Sequence, residues 1–109
     1  MIVEMRTYTL AVGATARYLK NYSEKGLAVQ TRILGNLVGY YSVEIGPLNQ
    51  VIHLWGYDGL DDRGRRRAQL WADEEWLAYA RDLAASGIVL KQETQVLTPA
   101  PFFTVPQPA

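Results

Sequence analysis

Positions 2 to 10 alternate, with Val3, Met5, Thr7 and Thr9 on one side and Ile2, Glu4, Arg6, Tyr8 and Leu10 on the other. A period of two over β-branched and aromatic residues predicts a half-buried strand, ended by Gly13. From Ala14 to about Gln30 the period changes. Tyr18, Leu19, Tyr22, Gly26 and Val29 recur at spacings of three and four, one stripe of an amphipathic helix. A second strand is predicted from Leu37 to Ile45 and a third from Gln50 to Tyr57, with the turn signal Gly46-Pro47-Leu48-Asn49 between them. Asp61 and Asp62 suit the first turn of a helix ending near Ala72. Asp73 reads as the N-cap of a further helix, stopped by Ser86-Gly87. Residues 88–97 read as a fourth strand. Strand–helix–strand twice over is the order of a ferredoxin-like α+β fold, an antiparallel sheet with helices on one face. The expected organisation is one domain over residues 1–103 and a proline-bearing C-terminal tail over 104–109, extended or irregular rather than helical.

The hairpin sorts its side chains into two sets. A turn of even length pairs Ile45 with Gln50, hence Glu44 with Val51, Ser42 with His53, Tyr40 with Trp55 and Val38 with Tyr57. The opposite face is Ile45, Val43, Tyr41, Gly39 and Leu37 beside Ile52, Leu54 and Gly56, nearly all apolar and the expected seat of the helices. The first set, with Glu4, Arg6 and Tyr8 from strand one, is then left uncovered. Uncovered Trp55, Tyr40, Tyr57 and Tyr8 would form a large aromatic patch, which monomers rarely leave to water. The expectation is a homodimer through that face, two sheets curling around a shared cavity lined by ionisable groups, where a small-molecule ligand binds.

Composition narrows the classes. The chain has 109 residues, 49% hydrophobic and 20% charged, which is globular. Eleven basic residues balance eleven acidic ones, so no general affinity for nucleic acid or anionic membrane is expected. The run Arg63-Gly64-Arg65-Arg66-Arg67 sits beside Asp58, Asp61 and Asp62 with no interleaved aromatic and reads as a solvated helix face. No apolar run approaches the roughly 18 residues of a membrane helix, and Glu4 and Arg6 interrupt the first ten residues. A cytoplasmic protein is therefore expected. Zero Cys and one His leave no thiol chemistry, no Cys-based zinc site and no His-rich metal site within one subunit, and no metal is expected. No cofactor is expected, and no phosphate loop or dinucleotide fingerprint is present.

Longer motifs carry a resemblance. E-x-R-x-Y-x-L at Glu4, Arg6, Tyr8 and Leu10, L-G-N-L-V-G-Y-Y at Leu34 to Tyr41 and E-I-G-P-L-N-Q-V-I-H-L-W at Glu44 to Trp55 resemble the NIPSNAP family. So do Asp62-Arg63, Arg66-Arg67, Asp73 and Trp76 in the helical stretch, and Pro99-Ala100-Pro101-Phe102 at the close. The likeness covers residues 1–103. It implies a dimeric α+β barrel, in which ferredoxin-like sheets pair. Proteins sharing only that barrel include cofactor-independent monooxygenases, isomerases and cyclases, so a function taken from the barrel rests on fold analogy.

The candidate catalytic residues are His53, Arg6, Glu44 and Tyr8. His53 is the one side chain titrating near neutral pH unaided, a general base if Glu44 orients it and a structural histidine if Ser42 binds it. Arg6 is suited to clamp or stabilise a negative oxygen, or to neutralise Glu4 or Glu44. Tyr8 supplies a phenolic donor. Tyr40, Ser42, Trp55 and Tyr57 are the candidate substrate-binding walls, with packing as their alternative role. The functional expectation is a small protein that binds an apolar, oxygen-bearing molecule, its chemistry isomerase or cyclase proton transfer or oxygenation. The alternative is a non-catalytic dimeric interaction module with a filled barrel.

Overall fold

Eight elements follow one another in the computed structural model, which describes residues 1–109. They are β1 (Ile2–Leu10), α1 (Thr15–Lys25), α2 (Leu27–Leu34), β2 (Asn36–Ser42), β3 (Gln50–Tyr57), α3 (Leu60–Leu70), α4 (Glu74–Ser86) and β4 (Val89–Leu97). The strands form one antiparallel sheet in the order β2-β3-β1-β4, with the helices on one face. This is the α+β architecture expected from the double strand–helix–strand order. No helix is long and apolar enough to cross a membrane.

The stretch expected as one helix is two. Gly26 separates α1 from α2 and lies against the aromatic wall. A Cβ there would stand 2.8 Å from the Tyr22 ring and 3.1 Å from that of Tyr79, inside van der Waals contact. The cap at Asp73 forms as expected, its carboxylate accepting the Trp76 backbone N–H at 3.0 Å. Gly87 closes α4 in the left-handed conformation that favours glycine.

The hairpin departs from expectation in register. Tyr40 lies opposite His53 and Ser42 opposite Val51, two residues away from the predicted pairing, so residue parity is kept but the loop is longer. β2 ends at Ser42, and Glu44 to Leu48 form an exposed connection. A bulge between Leu37 and Gly39 then turns Leu37 to the same side as Trp55.

The larger correction concerns which face the helices cover. Along β3, Val51, His53, Trp55 and Tyr57 are fully buried, whereas Ile52 and Leu54 are only half-buried. Tyr18 and Tyr22 of α1, Val29 and Leu34 of α2, Leu70 of α3, and Trp76 and Tyr79 of α4 pack with them in a single core. The aromatic face is therefore covered by the chain's own helices, and the apolar-looking face of Met5, Ile52, Leu54, Gly39 and Tyr41 is the open one. Tyr41 is 61% exposed there. Burying Trp55 and Leu10 contributes about 2 to 3 kcal/mol each to stability. The tail folds back onto the body: Val105 is buried and Asn36 Nδ2 donates to the Pro106 carbonyl at 2.9 Å.

Candidate functional site

Strand alternation brings Glu4, Arg6 and Tyr8 of β1 beside Trp55, His53 and Val51 of β3, each directly opposite its neighbour. Across the layer, α1 presents Tyr18 and Tyr22, one turn apart, and α4 presents Trp76, Tyr79, Ala80 and Leu83 at spacings of three and four. Between them lies a cavity of about 410 Å³, bordered at its sides by Gln30, Trp71, Val89, Leu90 and Gln92. It is formed by one chain, not between two sheets as expected.

His53 is 1% exposed and borders this cavity. Trp55 Nε1 donates to its Nδ1 at 2.7 Å. An indole nitrogen has only a proton to give, so Nδ1 is the acceptor and the neutral ring carries its hydrogen on Nε2. That N–H has no partner in the protein. Burial, then the charge of Arg6, push the imidazole pKa down to about 3 against the opposing pull of Glu4. Tyr40 stacks on the ring with centroids 4.6 Å apart, and Tyr8 meets it edge-on at 4.9 Å. The imidazole is thus a fixed neutral donor at neutral pH.

Arg6 is held from two sides. Its Nη1 donates to Glu4 at 3.2 Å and its Nε to the Tyr8 hydroxyl at 3.3 Å, with the guanidinium 5.6 Å from the Tyr8 ring centre. Because Tyr8 Oη accepts from Arg6, its own proton is free for a ligand. Glu4, 0% exposed, also accepts from Arg63 at 2.8 Å and from Thr94 at 2.7 Å. Burial alone would raise its carboxyl, but the bonds from Arg63 and Thr94 and the charges of Arg6 and Arg63 hold it at about 2. On the helical wall the Tyr18 and Tyr40 hydroxyls share one hydrogen bond of 2.8 Å. Burial pushes Tyr18, Tyr22 and Tyr40 well above the usual phenol range and Tyr79 up to about 12, so all four stay protonated. Trp76 Nε1 and Tyr79 Oη are buried without a hydrogen bond of good geometry.

Of the residues singled out from sequence, His53, Arg6 and Tyr8 meet at the cavity. Tyr40 backs His53, and Trp55 fixes its tautomer. Tyr57 is buried with its hydroxyl unpartnered and lies within the field of Glu4 and Arg63, away from the cavity wall. Glu44 and Ser42 are exposed in and beside the hairpin loop, removed by the register shift from His53, so neither binds or orients it. By spacing alone Tyr18, Tyr22, Trp71 and Trp76 read as core or interface, and Tyr79 carries no signal that sets it apart; all five line the cavity. Their helical spacing was visible, but a stripe facing a core and one facing a cavity have the same period. The arginine run splits as well. Arg65 and Arg66 pair with Asp62, whereas Arg63, on the inward side of α3, reaches Glu4.

A ferredoxin-like α+β domain holding an aromatic, donor-lined cavity between its helices and its sheet is what fold and site together define. Comparison with known proteins makes the class specific: the NIPSNAP family model matches residues 3–104, and the chain belongs to that family. It is 32% identical over 106 residues to Protein NipSnap homolog 3A of Homo sapiens, covering 96% of this chain and 42% of that protein. The chain thus spans less than half the length of that relative. Among solved structures, a NIPSNAP family protein from Agrobacterium tumefaciens superposes with a TM-score of 0.88 at 46% identity, covering 93% of this chain and 94% of that one. A NIPSNAP-like domain protein from Burkholderia xenovorans gives 0.91 at 41% identity, over 98% and 90%. An antibiotic biosynthesis monooxygenase shares the fold at 14% identity, with a TM-score of 0.63 over 93% and 100%.

Proposed function

We propose that the protein binds an apolar, oxygen-bearing small molecule in the cavity between its helices and its sheet, and that Arg6, Tyr8 and His53 hold and polarise an oxygen of that molecule. The observation carrying this reading is the His53 Nε2–H: a buried donor of fixed tautomer, without a partner, on a ring that lines the cavity. A buried N–H left unpaired costs about 1 to 3 kcal/mol, and a ligand oxygen removes that penalty. The aromatic walls supply flat apolar surface for the ligand body.

The chemistry this supports is stabilisation of negative charge on a substrate oxygen by preorganised donors. No residue lining the cavity offers a base at neutral pH, since His53 is neutral with its lone pair engaged and the lining contains no carboxylate. A proton lost in the reaction therefore comes from an acidic substrate and leaves to water. Isomerisation, cyclisation and oxygenation of such a substrate share this requirement. The homodimer belongs to the same proposal, now through the open face of Met5, Ile52, Leu54 and Tyr41.

Native mass spectrometry of freshly purified protein, followed by denaturation to release small molecules, tests the binding reading. Extra mass of a few hundred daltons is the expected result. Ala80→Phe, which projects a ring into the cavity, is expected to lose that mass while keeping the far-UV spectrum of the parent. Retention of the same mass by a folded Ala80→Phe protein would put the ligand elsewhere.

A further inference from the structure

Charge around the cavity floor does not balance. One carboxylate, Glu4, sits among three guanidinium groups. Arg6 and Arg63 bond it at 3.2 and 2.8 Å, while Arg67, one turn beyond Arg63 on the same side of α3, lies in the field of Arg6, Glu4, Tyr57 and His53 and bonds none of them. Burial and the neighbouring Arg6 lower the Arg67 pKa from the usual guanidinium value, as for a cation without a counter-ion. The other acidic residue of α3 that is withdrawn from water, Asp62, is taken by Arg65 and Arg66. At the rim, Lys91 is exposed and pairs with Glu93 at 3.4 Å. Three cations against one anion leave a net excess of two positive charges, partly withdrawn from water, and Arg67 has no bonded counter-ion in the protein. Such an excess is costly unless an anion compensates it.

The donor geometry says where that anion sits. Arg6 uses Nε and Nη1 within the protein and keeps Nη2 free. The His53 Nε2–H and the Tyr8 hydroxyl proton are also unspent. Three unspent donors on side chains that line one aromatic cavity suit the two oxygens of a planar carboxylate. A phosphate would ask for more donors than are free here, and a neutral carbonyl would leave the charge excess as it is.

Resting on the binding reading above, we propose that the cavity selects a carboxylate with a flat apolar body, its carboxylate held by Arg6 Nη2, His53 Nε2–H and the Tyr8 hydroxyl, and that Arg67 contributes through its field. The acid group binds as the anion, and the ring system lies between the α1 and α4 aromatics.

Two probes of one shape separate this inference from the binding reading: 2-naphthoate and its uncharged counterpart 2-naphthamide, titrated at neutral pH and followed by the fluorescence of Trp71 and Trp76. Naphthoate is expected to bind at least tenfold more tightly than the amide. Arg6→Gln is expected to abolish that preference, and Arg67→Gln to reduce it severalfold without contact to the probe. Equal affinity for the two probes, or a tighter amide, overturns the charge inference and leaves cavity binding intact. Failure of both probes to bind overturns the binding reading along with it. A naphthoate preference that survives in both variants places the anion away from the arginine cluster and overturns the inference as well.

Discussion

His53 shows how one bond decides what a side chain can do. In water a histidine titrates near neutrality and serves as base or acid. Here the Trp55 indole occupies Nδ1, burial disfavours the cation, and the ring becomes a neutral donor. The same facts govern stability. The unfolded ring titrates near 6.5 and the folded ring near 3, so between those values the unfolded state binds the proton that the folded state refuses. Stability is therefore full above pH 6.5 and is lost as pH falls, by up to about 1.4 kcal/mol per pH unit. Glu4, held at about 2 against an ordinary 4.5, adds a loss of the same sign only at lower pH. Urea unfolding across pH 7 to 4.5 is expected to show this slope in the parent and to lack most of it in His53→Phe. An equal slope in both proteins would assign it to other groups.

Elements are placed here by close approaches as much as by propensity. Gly26 stands at the junction of α1 and α2, where the Tyr22 and Tyr79 rings leave no room for a Cβ although the backbone conformation is open to any residue. Gly26→Ala is expected to destabilise by about 1 to 3 kcal/mol through overpacking, read as a lower urea midpoint with an unchanged slope. Helix propensity alone gives the opposite sign, since Ala exceeds Gly by roughly 1 kcal/mol, so the direction of the change discriminates. The tail is bound by local contacts too. Truncation after Thr98 removes buried Val105 and the Asn36–Pro106 bond. A loss of about 2 to 4 kcal/mol is expected from the burial and the hydrogen bond. Unchanged stability would show that the tail only rests on the surface.

Over the whole molecule, the two faces of the sheet have different tasks. The helices and the cavity occupy the aromatic face, and the other face keeps Met5, Ile52, Leu54 and Tyr41 partly exposed in one patch. Leu54→Glu puts a charge at the centre of that patch without touching the cavity. It is expected to convert a dimer to a monomer by light scattering coupled to size exclusion, while the far-UV spectrum is retained. A parent that is itself monomeric, or a Leu54→Glu dimer, would remove this face from the assembly.

The strand and helix order, the cap at Asp73, the parity of β1 and β3 and the membership in the NIPSNAP family were legible in the sequence, because each is written in residues close together along the chain. Alternation segregates Val51, His53, Trp55 and Tyr57 from Ile52, Leu54 and Gly56, but it is symmetric and does not say which set receives the helices. Ranking by apolar character pointed to the wrong set: Tyr, Trp, His, Arg and Glu look like surface until their polar atoms are seen to satisfy one another. Those satisfactions are long-range, Glu4 with Arg63 and Thr94, Tyr18 with Tyr40, and no periodicity records them. The hairpin register, and with it the removal of Glu44 from the site, was likewise set by pairing across strands rather than by the turn motif. The chain by itself determined its elements and their order. Only the folded structure decided which face closes over a cavity, which tautomer His53 holds and which arginines lack a counter-charge, because burial and pairing are properties of neighbours in space.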